Sequence, residues 1–148
     1  MEKKEIKIVG LDLDGTLLTD KKELLPYTKK VIAEALQNGT VVLVATGRPW
    51  TGVPEELREL PGMDYALTAN GARIIETRTG KVLEEHLLSK EAAKKAIAIG
   101  RKYDTLLEVY FDGQGYAQKD EIAQVKKYHK NPNMWDYFLR TRIAVDRL

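Results

Sequence analysis

The chain has 148 residues, enough for one ordinary domain or for one small domain and part of another. Its 24 basic and 22 acidic side chains are spread along the sequence, which argues against a nucleic-acid footprint or a membrane-surface patch. The absence of cysteine excludes disulfides and thiolate metal sites, and no apolar run is long enough to span a bilayer. Because the N-terminal residues also lack the apolar segment of a signal peptide, we expect a cytoplasmic protein.

The first half of the chain predicts alternating strands and helices. Residues 6–12 are an apolar run typical of a strand, and residues 41–45 lack alternation, as in a strand buried on both faces. Helices are predicted at 27–38, where apolar residues recur at helical spacing, and at 53–60, and a third strand is predicted at 64–69. This βαβαβ order indicates the α/β class, with a partial Rossmann-like parallel sheet as its core.

The pattern changes after Gly71, where hairpins replace the alternating strands and helices. No element is assigned to the segment from Asn131 to Leu148. We therefore divide the chain into residues 1–85, the N-terminal part of the parallel core plus a hairpin, and residues 86–148, a second α+β unit. The elements predicted in this half are strands at 72–77 and 81–86, a helix at 89–103 capped by Ser89, strands at 106–111 and 115–119, and a helix at 121–129.

Two carboxylates follow the first predicted strand directly. Asp12 and Asp14 are separated by one residue, and Gly15 and Thr16 come next. In open α/β sheets, sites form just outside the carboxyl ends of strands, and spacing by two lets both side chains project the same way if the strand continues. Asp and Gly are also favoured in turns that bind nothing, but the apolar strand before them favours a site. Such a pair can supply a nucleophile and an acid, or hold a hard cation such as Mg²⁺.

Polar residues also follow the second and third predicted strands. The hydroxyl and N–H of Thr46, followed by Gly47, can bind a phosphoryl oxygen, and Arg48 can add positive charge. Asn70 stands at the end of the third strand, where it serves either as a turn residue or as a ligand. Because the carboxyl ends of parallel strands meet at one edge of a sheet, we expect the turns after Asp12 and after Ala45 to lie close together.

These residues resemble the motifs of the haloacid dehalogenase superfamily, and within it the Cof-like sugar-phosphate phosphatases. The likeness extends through the second predicted unit toward the end of the chain. It is carried by Asp12-Leu13-Asp14-Gly15-Thr16-Leu17-Leu18, by Thr46-Gly47-Arg48-Pro49 and by Thr68-Ala69-Asn70-Gly71-Ala72.

The resemblance implies an enzyme that hydrolyses a small phosphorylated metabolite, with a sugar phosphate as the family-level expectation. Asp12 would attack phosphorus and form an aspartyl-phosphate, and Asp14 would protonate the leaving alcohol and then activate water. Thr46 would hold the phosphoryl group, and Mg²⁺ would bind the Asp12 carboxylate and the Asp14 backbone carbonyl. Residues 86–148 would be an incomplete α+β cap that selects the leaving group.

The sequence departs from the family pattern in two motifs. Family members carry a third-motif Lys or Arg and a fourth, Gly-Asp-x-x-x-Asp-like motif after the cap, and neither can be assigned up to Leu148. A fragment of a phosphatase is the favoured explanation; the others are a cleaved or incompletely recorded protein and a natural short protein that lost turnover. Without these motifs, turnover by the 148 residues alone stays an open question, and we expect weak Mg²⁺ binding. For this chain in isolation we also expect self-association through an exposed sheet edge or poor stability.

Two other functions remain open. The same half-core can serve as a non-catalytic phosphate-binding or interaction module. A phospho-acceptor receiver domain also uses aspartates at strand ends. The receiver interpretation is weaker, because its acidic residues usually follow separate strands and the predicted hairpins have no place in it.

Overall fold

The computed structural model describes residues 5–148 and contains two β-sheets, each in a unit of its own. The first unit ends at His86 and the second begins at Leu87. Each unit also has a separate apolar core. Within the described residues, no helix combines the length and the apolar character needed to cross a bilayer.

The first unit is a five-stranded sheet with strand order β1-β2-β3-β4-β5. The first three strands are parallel to one another, and the last two add an antiparallel hairpin. This is the partial Rossmann-like α/β fold that the sequence predicts. Its elements are β1 (Ile8–Leu11), α1 (Pro26–Gln37), β2 (Val41–Ala45), α2 (Glu55–Arg58), β3 (Tyr65–Thr68), β4 (Arg73–Glu76) and β5 (Val82–Glu85).

The central helix and strand of this unit follow local rules closely. Helix α1 begins at Pro26, whose missing N–H is harmless in a first turn, and ends just before Gly39, which adopts a φ of +82°. Strand β2 alternates, with Val42 and Val44 buried and Val41 37% exposed. The expectation that β2 is buried on both faces is therefore wrong, because only the face carrying Val42 and Val44 meets the apolar core.

Three predicted elements of the first unit are shorter than expected. Of the strand predicted at 6–12, only β1 (Ile8–Leu11) forms. It lies at the edge of the sheet, where Ile8 is 63% exposed. The helix predicted at 53–60 is reduced to the single turn of α2, preceded by a 3₁₀ turn at Trp50–Gly52. The strand predicted at 64–69 ends at Thr68 because residues 69–71 turn sharply.

The apolar core of the first unit extends into the turn that follows β1. Leu13, between the two aspartates, is completely buried, and Leu18 is 4% exposed. The turn is closed by the Leu17 N–H, which donates to the Asp12 carbonyl, and by the Leu18 N–H, which donates to the Leu13 carbonyl. The aspartates are therefore held by a buried anchor rather than by a continuing strand.

The second unit has a three-stranded sheet with strand order β6-β7-β8, in which β6 and β7 are antiparallel and β7 and β8 are parallel. The predicted cap of its first helix is present, since the Ala92 N–H donates to the Ser89 hydroxyl at 3.1 Å. Its elements are α3 (Lys90–Gly100), β6 (Glu108–Phe111), β7 (Gln114–Gln118), α4 (Lys119–Ala123), α5 (Val125–Tyr128), α6 (Pro132–Thr141) and β8 (Arg142–Val145).

The hairpin and the C-terminal segment of the second unit differ in how well the sequence predicts them. The β6–β7 turn has positive φ at Asp112 and Gly113, as a type I′ hairpin requires, and was expected there. The unassigned residues after Asn131 form α6 and β8. The Asn131 side chain caps α6 by accepting from the Asn133 N–H at 3.0 Å, a local signal that was present in the sequence.

Candidate active site

Asp12 and Asp14 lie in the turn after β1, on either side of buried Leu13. The Thr16 hydroxyl donates to Asp12 Oδ2 at 3.3 Å, a contact within the turn. Gly15, which lies between Asp14 and Thr16, adopts a φ of +78°, a conformation that residues with a side chain rarely take. The turn therefore presents two carboxylates on a backbone that closes tightly on itself.

The carboxylate of Asp14 is bound by two cations. Arg48 donates from Nε to Oδ2 at 2.8 Å and from Nη2 to Oδ1 at 2.7 Å, which is the bidentate geometry that suits a planar guanidinium. Lys22 donates from Nζ to Oδ1 at 2.7 Å. Both oxygens of Asp14 are thus occupied by charged donors.

These contacts change the acidity of Asp14. The hydrogen-bonded Arg48 guanidinium lowers the pKa of Asp14 to about 2, against the opposing effect of partial burial and with further lowering by Lys22. Asp14 is therefore a carboxylate at neutral pH in this arrangement. It suits acceptance of a proton from water once the cations release it, and it cannot donate a proton while they hold it.

Arg48 connects three parts of the first unit. Its side chain is 9% exposed, and its Nη1 donates to the Gly52 carbonyl at 2.8 Å in addition to the Asp14 contacts. Its backbone N–H donates to the Thr46 hydroxyl oxygen at 3.1 Å. The residue predicted to add charge for a phosphate therefore uses that charge on Asp14 and helps to fix the turn after β2.

The turn after β3 is fastened to the turn after β2. The Asn70 N–H donates to the Thr46 carbonyl at 3.2 Å, and the Ala69 N–H donates to the Arg48 carbonyl at 3.0 Å. A Cβ on Gly47 would stand 2.7 Å from Asn70 Oδ1, so a side chain at this position would displace the Asn70 amide. Thr46 is buried, and its hydroxyl accepts one bond while keeping a proton to donate.

Four of the predicted site residues therefore meet in one connected network: Arg48 joins Asp14 to Thr46, and the Asn70 N–H is bonded to the Thr46 carbonyl. Asp12 is bonded to Thr16 within its own turn. Sequence reasoning missed Lys22. The only local signal was a polar run, residues 19–23, which does not indicate which lysine turns toward Asp14.

The oxygen donors of this turn match the hard-ligand chemistry of Mg²⁺ only in part. The Asp12 carboxylate and the Asp14 backbone carbonyl are ligands of the kind that Mg²⁺ prefers. The Asp14 carboxylate, in contrast, is occupied by Arg48 and Lys22. Within residues 5–148, no group of three or more His, Cys, Asp or Glu side chains could hold a metal ion. The described residues do not make a complete metal site.

Comparison with known sequences gives a consistent family. The model of the haloacid dehalogenase-like hydrolases matches residues 9–143. A protein of Buchnera aphidicola subsp. Baizongia pistaciae is 30% identical over 124 residues, 82% of this chain and 45% of that protein. The 5-amino-6-(5-phospho-D-ribitylamino)uracil phosphatase YcsE of Bacillus subtilis is 31% identical over 101 residues, 68% of this chain and 40% of that protein. The chain spans less than half the length of these relatives.

Solved structures share the fold. A haloacid dehalogenase-like hydrolase from B. subtilis superimposes with a TM-score of 0.78 at 20% identity, covering 97% of this chain and 55% of that one. The subclass IIB sugar phosphatase BT4131 superimposes with a TM-score of 0.69 at 23% identity, covering 93% and 51%. The family model and the relatives agree: the chain belongs to the haloacid dehalogenase-like hydrolases.

Proposed function

We propose that this chain carries the nucleophile half of a phosphatase that hydrolyses a small phosphorylated metabolite through an aspartyl-phosphate. The observation that carries the proposal is the arrangement of Asp12 and Asp14 around a buried leucine, fastened through Arg48 to the buried Thr46 hydroxyl. Two relatives are named for phosphorylated metabolites: the B. subtilis phosphatase YcsE for 5-amino-6-(5-phospho-D-ribitylamino)uracil and the Escherichia coli phosphatase YbhA for pyridoxal phosphate.

Asp12 is the proposed nucleophile. Its carboxylate is held by a neutral hydroxyl rather than by the cations that occupy Asp14. One Oδ atom attacks phosphorus as the bond from phosphorus to the leaving oxygen breaks, and the leaving oxygen takes up a proton. Water then attacks phosphorus, the bond to Asp12 breaks, and inorganic phosphate leaves.

Asp14 is the proposed acid and base. As base, it takes a proton from the attacking water once Arg48 and Lys22 have released its oxygens. As acid, it must first be released by Arg48 and Lys22, because these cations hold it in the ionised form. The acid step therefore depends on movement of the cations away from Asp14 when substrate binds. Thr46 donates its hydroxyl proton to a phosphoryl oxygen, and the loops carrying Gly47 and Asn70 border the same position.

Mg²⁺ is the proposed cofactor. When bound, it would offset negative charge between the carboxylates and the phosphate. The Asp12 carboxylate and the Asp14 carbonyl would contribute two of its oxygen ligands, and water and substrate oxygens would supply others. We expect weak binding of Mg²⁺ to these residues alone.

The remaining proposals concern organisation. Residues 1–85 belong to the catalytic core and residues 86–148 to a cap that selects the leaving group. The protein is cytoplasmic. The β1 edge, where Ile8 is 63% exposed, supports self-association by strand pairing, which concentration-dependent light scattering would detect.

The test is hydrolysis of p-nitrophenyl phosphate with Mg²⁺ by the wild-type chain and by Asp12→Asn. We expect turnover that Asp12→Asn abolishes while its circular dichroism stays unchanged. Equal turnover by both forms would contradict the nucleophile role. Absence of turnover at high protein concentration, with inorganic phosphate still bound, would favour a non-catalytic phosphate-binding module instead.

A further inference from the structure

We infer that Lys22 is a positioning residue for Asp14, acting with Arg48 to hold the carboxylate from a second side. The inference rests on the proposed function, since it assigns Lys22 to the same phosphate-binding site. Its evidence is the contact between Lys22 and Asp14, which does not depend on any activity.

The two cations hold Asp14 in different ways. Arg48 is buried, braced against the Gly52 carbonyl, and occupies both carboxylate oxygens. Lys22 adds a single bond to Oδ1 at 2.7 Å, from a side chain that is 22% exposed. Arg48 therefore fixes the plane of the carboxylate, whereas Lys22 reaches it from a surface turn.

The backbone of that turn points Lys22 inward. The Lys22 N–H donates to the Thr19 carbonyl at 2.8 Å, and the Thr19 N–H donates to the Glu23 carbonyl at 3.0 Å. Between these bonds Lys22 adopts a φ of +66°, a conformation that glycine or asparagine takes more readily than lysine. A long cationic side chain thus occupies a position where the backbone alone favours another residue, and its ammonium contacts Asp14.

Lys22 also changes the charge of the site. Asp12 and Asp14 bring two negative charges, and Arg48 and Lys22 bring two positive ones, so the four groups are neutral together. Without Lys22 they would repel a phosphate dianion. The family pattern predicts a third-motif Lys or Arg after the cap. The described structure has a charge-balancing lysine in the turn that follows the aspartates.

The test compares Lys22→Met with Lys21→Met, a matched control that removes the same charge from the adjacent exposed position. Inorganic phosphate binding is measured by calorimetry. We expect Lys22→Met to lose about tenfold in affinity, Lys21→Met to stay within about twofold, and Lys22→Arg to recover most of the loss, since rescue by charge distinguishes positioning from packing. Equal losses in Lys22→Met and Lys21→Met would overturn the inference.

A second readout separates this inference from the proposed function. In the ¹H–¹⁵N spectrum of lysine ammonium groups, a hydrogen-bonded Lys22 gives a slowly exchanging signal. We expect that signal in the wild type and in Asp12→Asn, and its loss in Asp14→Asn. Its absence from the wild type would overturn the inference. Failure of the wild type to bind phosphate would overturn the proposed function, and the ammonium spectrum would then decide the role of Lys22 alone.

Discussion

Within residues 5–148, the first unit packs twelve buried apolar residues into one core, whereas the second packs three, Ala117, Val125 and Phe138. The second unit adds a charged centre instead. The Arg142 guanidinium lies 5.1 Å from the ring centroids of Tyr110 and Phe138 and is bonded to Glu108. The comparison shows that the first unit is stabilised mainly by a large apolar core, whereas the second combines a small apolar core with a partly buried ion pair.

The charged centre of the second unit shapes its neighbours. A Cβ on Gly115 would stand 2.7 Å from Arg142 Cδ, so the guanidinium needs glycine on the adjacent strand. Burial raises the pKa of Tyr110, helped by the nearby Glu108 carboxylate, so the phenol stays neutral beside the guanidinium. Cation–π contacts of this partly desolvated kind contribute about 1–2 kcal/mol each.

The largest expected effect comes from removing the centre of the smaller core. Phe138→Ala should destabilise the second unit by about 3–5 kcal/mol, because it removes a large side chain that is 1% exposed. Hydrogen exchange followed by mass spectrometry checks this unit by unit. We expect protection to fall across α6 and β7 and to persist in β2. Equal loss of protection in both units would show that their cores are not separate.

Leu57→Ala is the matched change in the larger core. Leu57 is completely buried, and its truncation should cost about 2–5 kcal/mol because it leaves a cavity in the apolar core. The same exchange experiment should now show lower protection in β2 and unchanged protection in β7. Loss of protection confined to the second unit would contradict the division of the cores.

Arg142→Met tests the charged centre directly. The substitution leaves Glu108 without the Arg142 guanidinium, but Glu108 is 23% exposed and can be solvated. We therefore expect the free energy of unfolding to fall by about 1–3 kcal/mol, less than for a fully buried unpaired charge. Urea unfolding of Arg142→Met, Glu108→Gln and the double variant measures the coupling. Additive effects of the two changes would mean that the pair contributes nothing as a pair.

The smallest expected effect is the pH dependence of the first unit. Because the pKa of Asp14 is lowered to about 2, its pairing stabilises the fold above its ordinary pKa near 3.8 and is lost as pH falls through about 2. The side chain is 41% exposed, so screening limits the contribution to on the order of 1 kcal/mol. Urea unfolding from pH 5 to about pH 2 should show a slope that Asp14→Asn reduces. An unchanged slope would assign the acid sensitivity to other carboxylates.

Much of the fold could be predicted because local signals were strong. The β2 sequence is apolar and bounded by turns, Ser89 caps α3, and the Asp112-Gly113 pair matches its hairpin. The exposure of β1 and of one face of β2 could not be predicted, because apolar runs do not reveal which surfaces neighbouring elements cover. Segment 131–148 was missed although Asn131 gives a local capping signal, because α6 is only ten residues long and β8 only four.

The candidate site was predicted as a neighbourhood but not as a network. Sheet topology implied that the turns carrying Asp14 and Thr46 would meet, and they are joined through Arg48. The bonds from Arg48 and Lys22 to Asp14 join residues that are 34 and 8 positions apart in the sequence. Motif spacing does not indicate that these side chains will meet. Whether these residues act on phosphate as expected stays a prediction.

Trapping the phosphorylated residue tests the central claim most directly. The wild-type chain would be mixed with p-nitrophenyl phosphate and Mg²⁺, quenched, reduced with borohydride and digested for mass spectrometry. Reduction converts an aspartyl-phosphate to homoserine, and we expect homoserine at position 12, absent from the Asp12→Asn sample. Turnover without homoserine at position 12, or homoserine at position 14 instead, would contradict the assignment of Asp12 as nucleophile.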